Sequence, residues 1–369
     1  MKKILYITTV SGTINAFLIP HINELVKQSN KVDCACNINK HININELNKN
    51  VEVFNCGFNR NPLSIKNIKA FKQLLKIQKD NNYDIVHVHT PVASIYGRLL
   101  KLKYKNIKTI YTAHGFHFYD KAPKKNWIIY YTIEKIMSKF TDIIITMNDE
   151  DYKNAKKLKI KKVYKTNGVG VDLDKYKPIS TDNTRLKESL NIKKDDFVIL
   201  MIAEVNQNKN HKQIIEAIKI LKSKGINNIK LICAGNGTLI ENIQKTINDN
   251  NLEENIMMLG HRSDINELIS ISDIGVLMSY REGLPRNIME LMACKKPIIG
   301  TNIRGIRDLV KDNENGYLLD LDDYINTANK IQKIYNDRNL LESMGNKSYE
   351  LVQDYSINKV LKQLEEVYK

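Results

Sequence analysis

The sequence predicts an α/β protein built from two domains, each with a doubly wound parallel sheet. Short apolar strands alternate with helical stretches in both halves of the chain, and this alternation is typical of parallel sheets. The 369 residues suffice for two domains of ordinary size, and 42% of them are hydrophobic, which is enough for two cores. Between the halves the periodicity breaks at Val171–Asp182, where Pro178 and polar residues predict a linker.

The first half contains four predicted strands and one clear amphipathic helix. The strands are Lys3–Thr9, Asp84–Thr90, Thr109–Gly115 and Asp142–Thr146, and Phe17–Val26 has helical periodicity. In parallel sheets ligands bind at the carboxyl ends of the strands. We therefore expect chemistry in the loops that follow Thr9, His89, Ala113 and Thr146.

The second half repeats the same alternation of strands and helices. Its predicted strands are Phe197–Ala203, Lys230–Gly235, Ile256–Gly260, Ile274–Met278 and Pro297–Gly300. The final segment, Ile357–Tyr368, has the apolar spacing of an amphipathic helix.

The chain is strongly basic, with 57 Lys and Arg against 41 Asp and Glu and a formal charge of +16. Such a balance favours a polyanionic partner, which can be nucleic acid, an anionic membrane or a phosphate-bearing substrate. No nucleic-acid-binding module is recognisable and aromatic residues make up only 7%, so we do not expect nucleic acid as a partner. Part of the excess also reflects a general Lys, Asn and Ile bias.

Targeting and redox signals favour a cytoplasmic protein. No run reaches the ~18 apolar residues of a membrane-spanning helix. Lys2-Lys3 and the apolar run after them imitate a signal peptide, but the run is short and lacks a cleavage site, so a first strand is the better interpretation. Five cysteines without metal-like spacing predict reduced core thiols.

The segment Ser279–Met292 carries the strongest functional signal. It follows a predicted buried strand; Gly283 permits a tight turn, and Pro285 suits a first helical position. A helix N-terminus with free amides is an anion site. Glu282 in the loop and Glu290 along the helix lie at most ~12 Å apart at helical rise. Carboxylates accept hydrogen bonds from sugar hydroxyls, although a solvated helix face is the alternative interpretation of these two residues.

The stretch "EGLPRNIME", with its Glu-x7-Glu spacing, resembles the hallmark of retaining glycosyltransferases of family 4, which have the GT-B fold. The resemblance covers nearly the whole chain and is to bacterial capsule, exopolysaccharide and lipid-linked oligosaccharide transferases. It implies two facing Rossmann-like domains with an interdomain cleft. Residues 1–175 would bind the acceptor, residues 176–353 would bind the nucleotide-sugar donor, and a helix at about 354–369 would cross back to the first domain.

The resemblance also implies roles for individual residues. Glu282 would hold the donor sugar, Glu290 the ribose, and Lys209 the diphosphate. Relatives commonly place an Arg where this chain has Glu204, so a second cation at the diphosphate is in doubt; Arg286 is one substitute. The full donor-binding set implied is Gly12, Lys209, Gly235, Arg262, Glu282, Gly283, Leu284 and Glu290.

Several of these positions have a simpler alternative. Gly12 follows the first strand and would bring backbone close to the reaction. Gly235 would line the cleft. The backbone around Arg262 would recognise the nucleobase, although a plain turn explains that stretch as well. Asp172 and Asp174 imitate an Asp-x-Asp metal motif, but their place in a linker argues against that role.

His114 is the third implied catalytic residue, with Glu282 and Lys209, and it would lie beside the donor sugar near its 6-hydroxyl. A buried structural histidine is the alternative. His87, His89, His114 and His117 could imitate a metal cluster, but no carboxylate completes the set, and we expect neither a metal nor another cofactor.

Lys124, Lys125 and Trp127 belong to a segment in which lysines alternate with aromatic residues. This composition suits an anionic membrane interface, where aromatic rings reach the headgroup level. A helix that packs its apolar side in the core and leaves its lysines solvated is the alternative.

The resemblance, together with the basic charge, implies transfer of a hexose or N-acetylhexosamine from a UDP-sugar to an undecaprenyl-diphosphate-linked saccharide, with retention, at the inner face of the bacterial plasma membrane. No covalent nucleophile is in place, so same-face displacement is expected, as proposed for the family. The alternatives are a UDP-sugar epimerase, a soluble transferase that acts on a small metabolite, and a non-catalytic nucleotide-sugar-binding protein.

Overall fold

The computed structural model describes residues 1–179 and 183–369. Residues 180–182, at the end of the predicted linker, lie outside the described residues. The chain forms two compact units, one comprising Met1–Val169 with Val360–Lys369 and the other comprising Gly170–Lys359. The domain boundary predicted after residue 175 therefore lies within the second unit.

The first unit contains a parallel sheet of seven strands in the order β3-β2-β1-β4-β5-β6-β7. The strands are β1 (Lys3–Val10), β2 (Lys31–Asn37), β3 (Val53–Asn55), β4 (Ile85–His89), β5 (Lys108–Ala113), β6 (Ile143–Thr146) and β7 (Lys162–Lys165). The four predicted strands are present, and β2, β3 and β7 were not predicted. In β2, Asp33 interrupts the apolar pattern; it is fully buried and accepts a hydrogen bond from the Tyr83 hydroxyl at 2.6 Å.

Helices cover both faces of this sheet, so its strands are apolar on both sides. The α-helices are α1 (Ser11–Thr13), α2 (Ile19–Lys27), α3 (Lys66–Asn81), α4 (Pro91–Leu99), α5 (Lys124–Asn126), α6 (Thr132–Met137) and α7 (Asp149–Lys156). The helix predicted at Phe17–Val26 is divided between a π-helical turn, Ile14–Leu18, and α2. A second π-helical turn, Trp127–Tyr131, joins α5 to α6, and Leu100–Leu102 and Ser138–Phe140 are 3-10 turns.

The second unit contains a parallel sheet of six strands in the order β10-β9-β8-β11-β12-β13. The strands are β8 (Phe197–Ile202), β9 (Ile229–Ala234), β10 (Ile256–Gly260), β11 (Ile274–Leu277), β12 (Ile298–Thr301) and β13 (Gly316–Leu319). The first five match the predicted strands, and β13 was not predicted. The α/β prediction of two doubly wound parallel sheets is thus confirmed.

The helices of the second half are α8 (Thr184–Ser189), α9 (His211–Ser223), α10 (Ile240–Asp249), α11 (Ile265–Ile271), α12 (Arg286–Ala293), α13 (Ile306–Leu309), α14 (Tyr324–Asn336), α15 (Arg338–Val352) and α16 (Ile357–Tyr368), with 3-10 turns at Gln207–Lys209 and Gln353–Tyr355. From Val360 onward α16 belongs to the first unit. There Val360, Leu364 and Val367 join the core, and the Tyr368 hydroxyl lies 2.7 Å from that of Tyr6.

The strand order decides which loops meet. β8 and β11 are neighbours in the second sheet, and β4 lies between β1 and β5 in the first. Because parallel strands end at the same edge, the loops after neighbouring strands leave the sheet side by side.

Among the described residues no helix combines the length and the apolar character needed to cross a bilayer. All five cysteines are buried and unpaired with one another.

Candidate active site

The loop from Ser279 to Pro285 leaves the carboxyl end of β11 and leads into α12. Pro285 has extended backbone and the helix begins at Arg286, one residue later than the sequence pattern predicts. Gly305, with φ of +79°, lies against this loop. A Cβ added at Gly305 would approach the Gly283 carbonyl oxygen to 2.4 Å, so only glycine allows the two segments to pack so closely.

Lys209 and Glu282, predicted separately from two loops, form one ion pair. The Lys209 Nζ lies 2.5 Å from the Glu282 Oε1, and the Ser279 hydroxyl donates to the same oxygen at 2.6 Å. Only 19% of the lysine side chain and 12% of the glutamate side chain are exposed. Two of the three predicted catalytic residues are therefore brought together at the carboxyl edge of the second sheet.

Backbone contacts hold these two loops in register. The Tyr280 amide donates to the Asn208 carbonyl at 2.8 Å, and the Asn208 side-chain amide donates to the Arg281 carbonyl at 3.0 Å. The Asn206 side chain caps the short turn by accepting from the Lys209 amide at 3.2 Å. The ion pair thus rests on a fixed frame rather than on two independent loops.

Glu290 lies in α12 as predicted, and it is almost completely buried. The Arg286 Nε lies 3.0 Å from the Glu290 Oε1, and the Tyr176 hydroxyl donates a hydrogen bond to the same carboxylate. Burial raises the pKa of Glu290, and the charge of Arg286 acts in the opposite direction. Arg286, which could have replaced the missing second cation, is therefore engaged with a carboxylate.

Glu204, the departure from the family pattern, lies exposed just after β8. The loop after β9 packs closely beside it: a Cβ at Gly235 would come within 2.0 Å of the Ala203 carbonyl oxygen. Gly235 is thus required by packing between the two loops. Its predicted contact with the donor stays a prediction.

Arg262 lies after β10 and forms an ion pair with a residue of the same loop. Its Nε donates to the Asp264 Oδ1 at 2.8 Å, and its guanidinium makes a second hydrogen bond with the other carboxylate oxygen. This pairing raises the pKa of Arg262 and lowers the pKa of Asp264. The side chain therefore shapes its own loop, and the nucleobase contact predicted for the backbone here stays a prediction.

Two histidines that the sequence analysis did not assign to the donor site lie near predicted site residues, one in each unit. His211 is the first residue of α9, two positions after Lys209, and burial, followed by the charge of Lys209, lowers its pKa to about 4. His89 ends β4, and its Nδ1 lies 3.0 Å from the Nε2 of His114. No pattern in the sequence indicates the His89–His114 contact, because it depends on how β4 and β5 align.

His114 directly follows β5 in the first unit. Besides its contact with His89, its ring packs on Phe17 with centroids 4.9 Å apart. Burial and the nearby His21 lower the pKa of His114 to about 3, so the ring is neutral at physiological pH. A neutral ring can form hydrogen bonds to a hydroxyl group, and the role beside the donor sugar that the resemblance implies for His114 stays a prediction.

The histidines proposed as an alternative metal cluster have other partners. His87 bonds to the Tyr368 hydroxyl and, at 2.7 Å, to that of Thr112. Within residues 1–179 and 183–369 no three His, Cys, Asp or Glu side chains are arranged to hold a metal ion. The Asp172 Oδ1 accepts from the amides of Asp174 and Lys175, so it caps a turn.

Gly12 lies in α1, directly after β1. A Cβ added there would meet only the Lys40 side chain, at 3.9 Å. The packing of the protein itself therefore does not require glycine at this position, and its predicted role beside a ligand stays a prediction. Leu284, in the loop after β11, packs against the core of the second unit.

Lys124, Lys125 and Trp127 lie on the surface segment between β5 and β6. Both lysines are exposed, whereas Trp127 is half-buried: its Nε1 donates to the Tyr119 carbonyl at 3.2 Å and its ring packs on Phe118 at 5.4 Å. The apolar side chains that reach solvent are instead Ile128, 70% exposed, and Ile129, 52% exposed.

Sequence and structure comparisons identify the family and the fold. A family model described as "Glycosyl transferases group 1" matches residues 182–351, and one described as "Glycosyl transferase 4-like" matches residues 3–148. The chain is 35% identical over its full length to the EpsD protein of Bacillus subtilis, covering 96% of that protein. It is 30% identical to the UDP-Gal:alpha-D-GlcNAc-diphosphoundecaprenol alpha-1,3-galactosyltransferase of Escherichia coli, over 84% of this chain and 81% of that enzyme.

A solved structure shares the same fold. Anabaena Alr3699/HepE, in complex with UDP and glucose, superposes with a TM-score of 0.84 over 100% of this chain and 99% of its own, at 18% identity. The two parallel sheets, their order and these similarities establish the fold predicted from "EGLPRNIME". The chain therefore belongs to glycosyltransferase family 4 and is a transferase enzyme of the GT-B fold.

Proposed function

We propose that this enzyme transfers a hexose or N-acetylhexosamine from a UDP-sugar to an undecaprenyl-diphosphate-linked saccharide during synthesis of a surface polysaccharide or glycan. The observation that carries the proposal is the Lys209–Glu282 pair at the carboxyl edge of the second sheet. It offers one cation for a diphosphate and one carboxylate for sugar hydroxyls. The similarity to an E. coli enzyme named for a UDP-galactose donor and a diphosphoundecaprenol acceptor supports both substrate classes.

In the unliganded enzyme each member of the pair satisfies the other. A bound donor replaces both partners at once, because its diphosphate takes Lys209 and its sugar hydroxyls donate to Glu282. As the glycosidic bond breaks, negative charge grows on the departing diphosphate, and a fixed lysine stabilises that charge more in the transition state than in the ground state. Ser279 keeps one hydrogen bond on Glu282 throughout and so fixes the carboxylate.

We assign Glu290 to the ribose and His114 to the sugar 6-hydroxyl. Glu290 can accept from ribose hydroxyls while Arg286 and Tyr176 keep it in place. The sugar would be transferred with retention by same-face displacement, with a donor β-phosphate oxygen accepting the acceptor's proton. Because Lys209 stabilises the leaving group, we propose that no divalent metal is needed.

We further propose that the first unit binds the acceptor, the second unit binds the donor, and the enzyme works peripherally on the cytoplasmic face of an anionic membrane. Supporting this, the segment after β5 exposes Ile128 and Ile129 next to Lys124 and Lys125. Apolar side chains flanked by lysines are typical of surfaces that insert among anionic headgroups.

The test is release of UDP from a panel of UDP-sugars in EDTA, with and without a prenyl-diphosphate-linked sugar. We expect acceptor-dependent release from one donor, with an α-configured product by NMR, and a loss of about 100-fold or more in Glu282→Gln, which keeps the size of the side chain. Lys347→Gln, which removes a half-exposed lysine from another ion pair of the second unit, is the control.

Other outcomes separate the alternatives. A changed UDP-sugar formed without acceptor would identify an epimerase. Transfer to a small soluble acceptor alone would refute the lipid-linked assignment, and UDP binding without turnover for any donor and acceptor would refute catalysis by this chain.

A further inference from the structure

The first unit contains a cavity of about 420 Å³ that the proposed donor site does not use. It lies at the carboxyl edge of the sheet, bordered by residues that end or follow β1, β4 and β5: Thr9, Thr90 and Gly115. Ligands of parallel α/β domains bind at this edge, and the volume falls within the usual range of small-molecule sites.

Most of the cavity wall is apolar. Ile95 of α4 and Ile133 of α6 contribute side chains from two helices, and Phe116, Phe118 and Tyr130 contribute aromatic rings. Phe116 and Phe118 stack on each other with centroids 4.5 Å apart. Such a lining favours a hydrocarbon rather than a sugar, because sugar hydroxyls buried here would lose their hydrogen bonds to water.

Two charged residues reach the cavity, and they differ in kind. Glu134 is held by the fully buried Arg98, with the Arg98 Nη1 2.7 Å from the Glu134 Oε2, so its charge is neutralised within the fold. Arg60 is exposed and forms no ion pair with any residue in the described part of the chain. The cavity therefore combines an apolar interior with one unpaired cation at its border, which matches a ligand with a hydrocarbon body and an anionic end.

The segments that form the cavity wall also carry strongly exposed apolar side chains. Leu63, 90% exposed, and Ile65, 74% exposed, follow the wall residue Pro62; Ile128, 70% exposed, precedes Tyr130. Lysines accompany both segments. A hydrocarbon chain could thus pass from a bilayer into the cavity along apolar surface.

We propose that this cavity binds the first isoprene units of a prenyl diphosphate, with its diphosphate on Arg60. The inference rests on the proposed lipid-linked acceptor and goes further, because it assigns recognition to the lipid itself. Ile95 and Ile133 contact the prenyl chain, and Arg60 forms charge-assisted hydrogen bonds to the phosphate oxygens. The enzyme would then select prenyl-linked acceptors over the same saccharide on another carrier.

The test is calorimetric binding of farnesyl diphosphate, a short soluble prenyl diphosphate, to the full-length protein without any sugar nucleotide. Inorganic diphosphate tests the headgroup alone. Arg60→Gln removes the cation, and Ile133→Phe and Ile95→Phe fill the cavity from different helices, so that one of them remains informative if the other fails to fold. Arg185→Gln, at an exposed arginine of the second unit, is the matched control.

We expect farnesyl diphosphate to bind the wild type, and each of the three test variants to bind it about tenfold or more weakly. Inorganic diphosphate should bind far more weakly, and the control should match the wild type. The proposal is overturned if farnesyl diphosphate does not bind, if both filling variants bind like the wild type, or if inorganic diphosphate binds equally well.

The outcome can be separated from that of the proposed function. If prenyl binding behaves as expected while no donor and acceptor give UDP release, the transfer assignment fails and the cavity assignment stands. If sugar transfer to a prenyl-linked acceptor proceeds with an unchanged KM in both filling variants, the cavity assignment fails and the transfer assignment stands.

Discussion

Replacing Gly305 by alanine should displace the loop that carries Glu282 and so lower activity, although Gly305 has no side chain to bind a ligand. Its backbone has φ of +79°, which alanine adopts only with strain of about 1–3 kcal/mol. The added Cβ would lie 2.4 Å from the Gly283 carbonyl oxygen, so the loop must move by at least about 0.6 Å to reach the shortest contact that real Cβ atoms make. Gly283 adjoins Glu282, and the carboxylate moves with it.

Gly225 provides the matched control, because its φ is +82° and a Cβ added there would meet nothing within 4 Å. Gly225→Ala should cost about 1 kcal/mol of stability and leave transfer unchanged. Gly305→Ala should lower kcat/KM for the donor by about 10- to 100-fold, since displacements approaching 1 Å have effects of that size. Steady-state UDP release and urea denaturation measure both quantities. Wild-type kcat/KM in Gly305→Ala, or an equal loss in Gly225→Ala, would refute the reasoning.

Three further predictions follow from the ion pair and the histidines. Lys209→Met and Glu282→Gln should each lower the free energy of unfolding by about 2 kcal/mol, and the double variant should lose less than the sum of the two. The control Lys347→Met should show no comparable loss. A double variant that loses the full sum would contradict the pairing. The pKa of about 3 for His114 in the folded protein lies below the pKa of histidine in the unfolded chain. The neutral ring therefore contributes fully to stability above pH ~6.5, and this contribution is lost as the pH falls toward 3. Between pH 7 and 5 this loss is at most about 2 kcal/mol, and urea denaturation of His114→Asn should show a flatter pH dependence than the wild type. His89→Ala should free the His114 ring and lower kcat while KM for the donor changes little; an unchanged kcat would exclude a positioning role for His89.

The sequence predicts the central strands of both sheets because their apolar runs are continuous. It misses strands whose pattern is broken by local chemistry. β7 has only two apolar residues, Val163 and Tyr164, with a lysine on each side, and β2 places a carboxylate, Asp33, in the middle of an apolar run. Asp33 is tolerated there because Tyr83, fifty residues further along, donates to it. No local pattern carries information about a partner so distant.

The candidate site divides in the same way. Glu282, Glu290 and Lys209 are recognisable from motifs. The contact between Lys209 and Glu282, however, depends on β8 and β11 being neighbours in the sheet, and β11 begins 72 positions after the end of β8. Trp127 lies in a segment whose composition is typical of a membrane interface, yet its indole ring packs on Phe118. Composition identifies the segment, and packing decides which of its side chains face solvent.

Under the proposed mechanism, the Lys209–Glu282 contact affects the release of UDP after each turnover. In the mechanism proposed above, UDP would still occupy Lys209 once the sugar has left, and Glu282 would keep its hydrogen bond from the Ser279 hydroxyl. Re-forming the Lys209–Glu282 ion pair would then compete with the diphosphate for Lys209 and favour release of UDP. Weakening the carboxylate, as in Glu282→Gln, should therefore make UDP a tighter inhibitor even as it slows the chemistry.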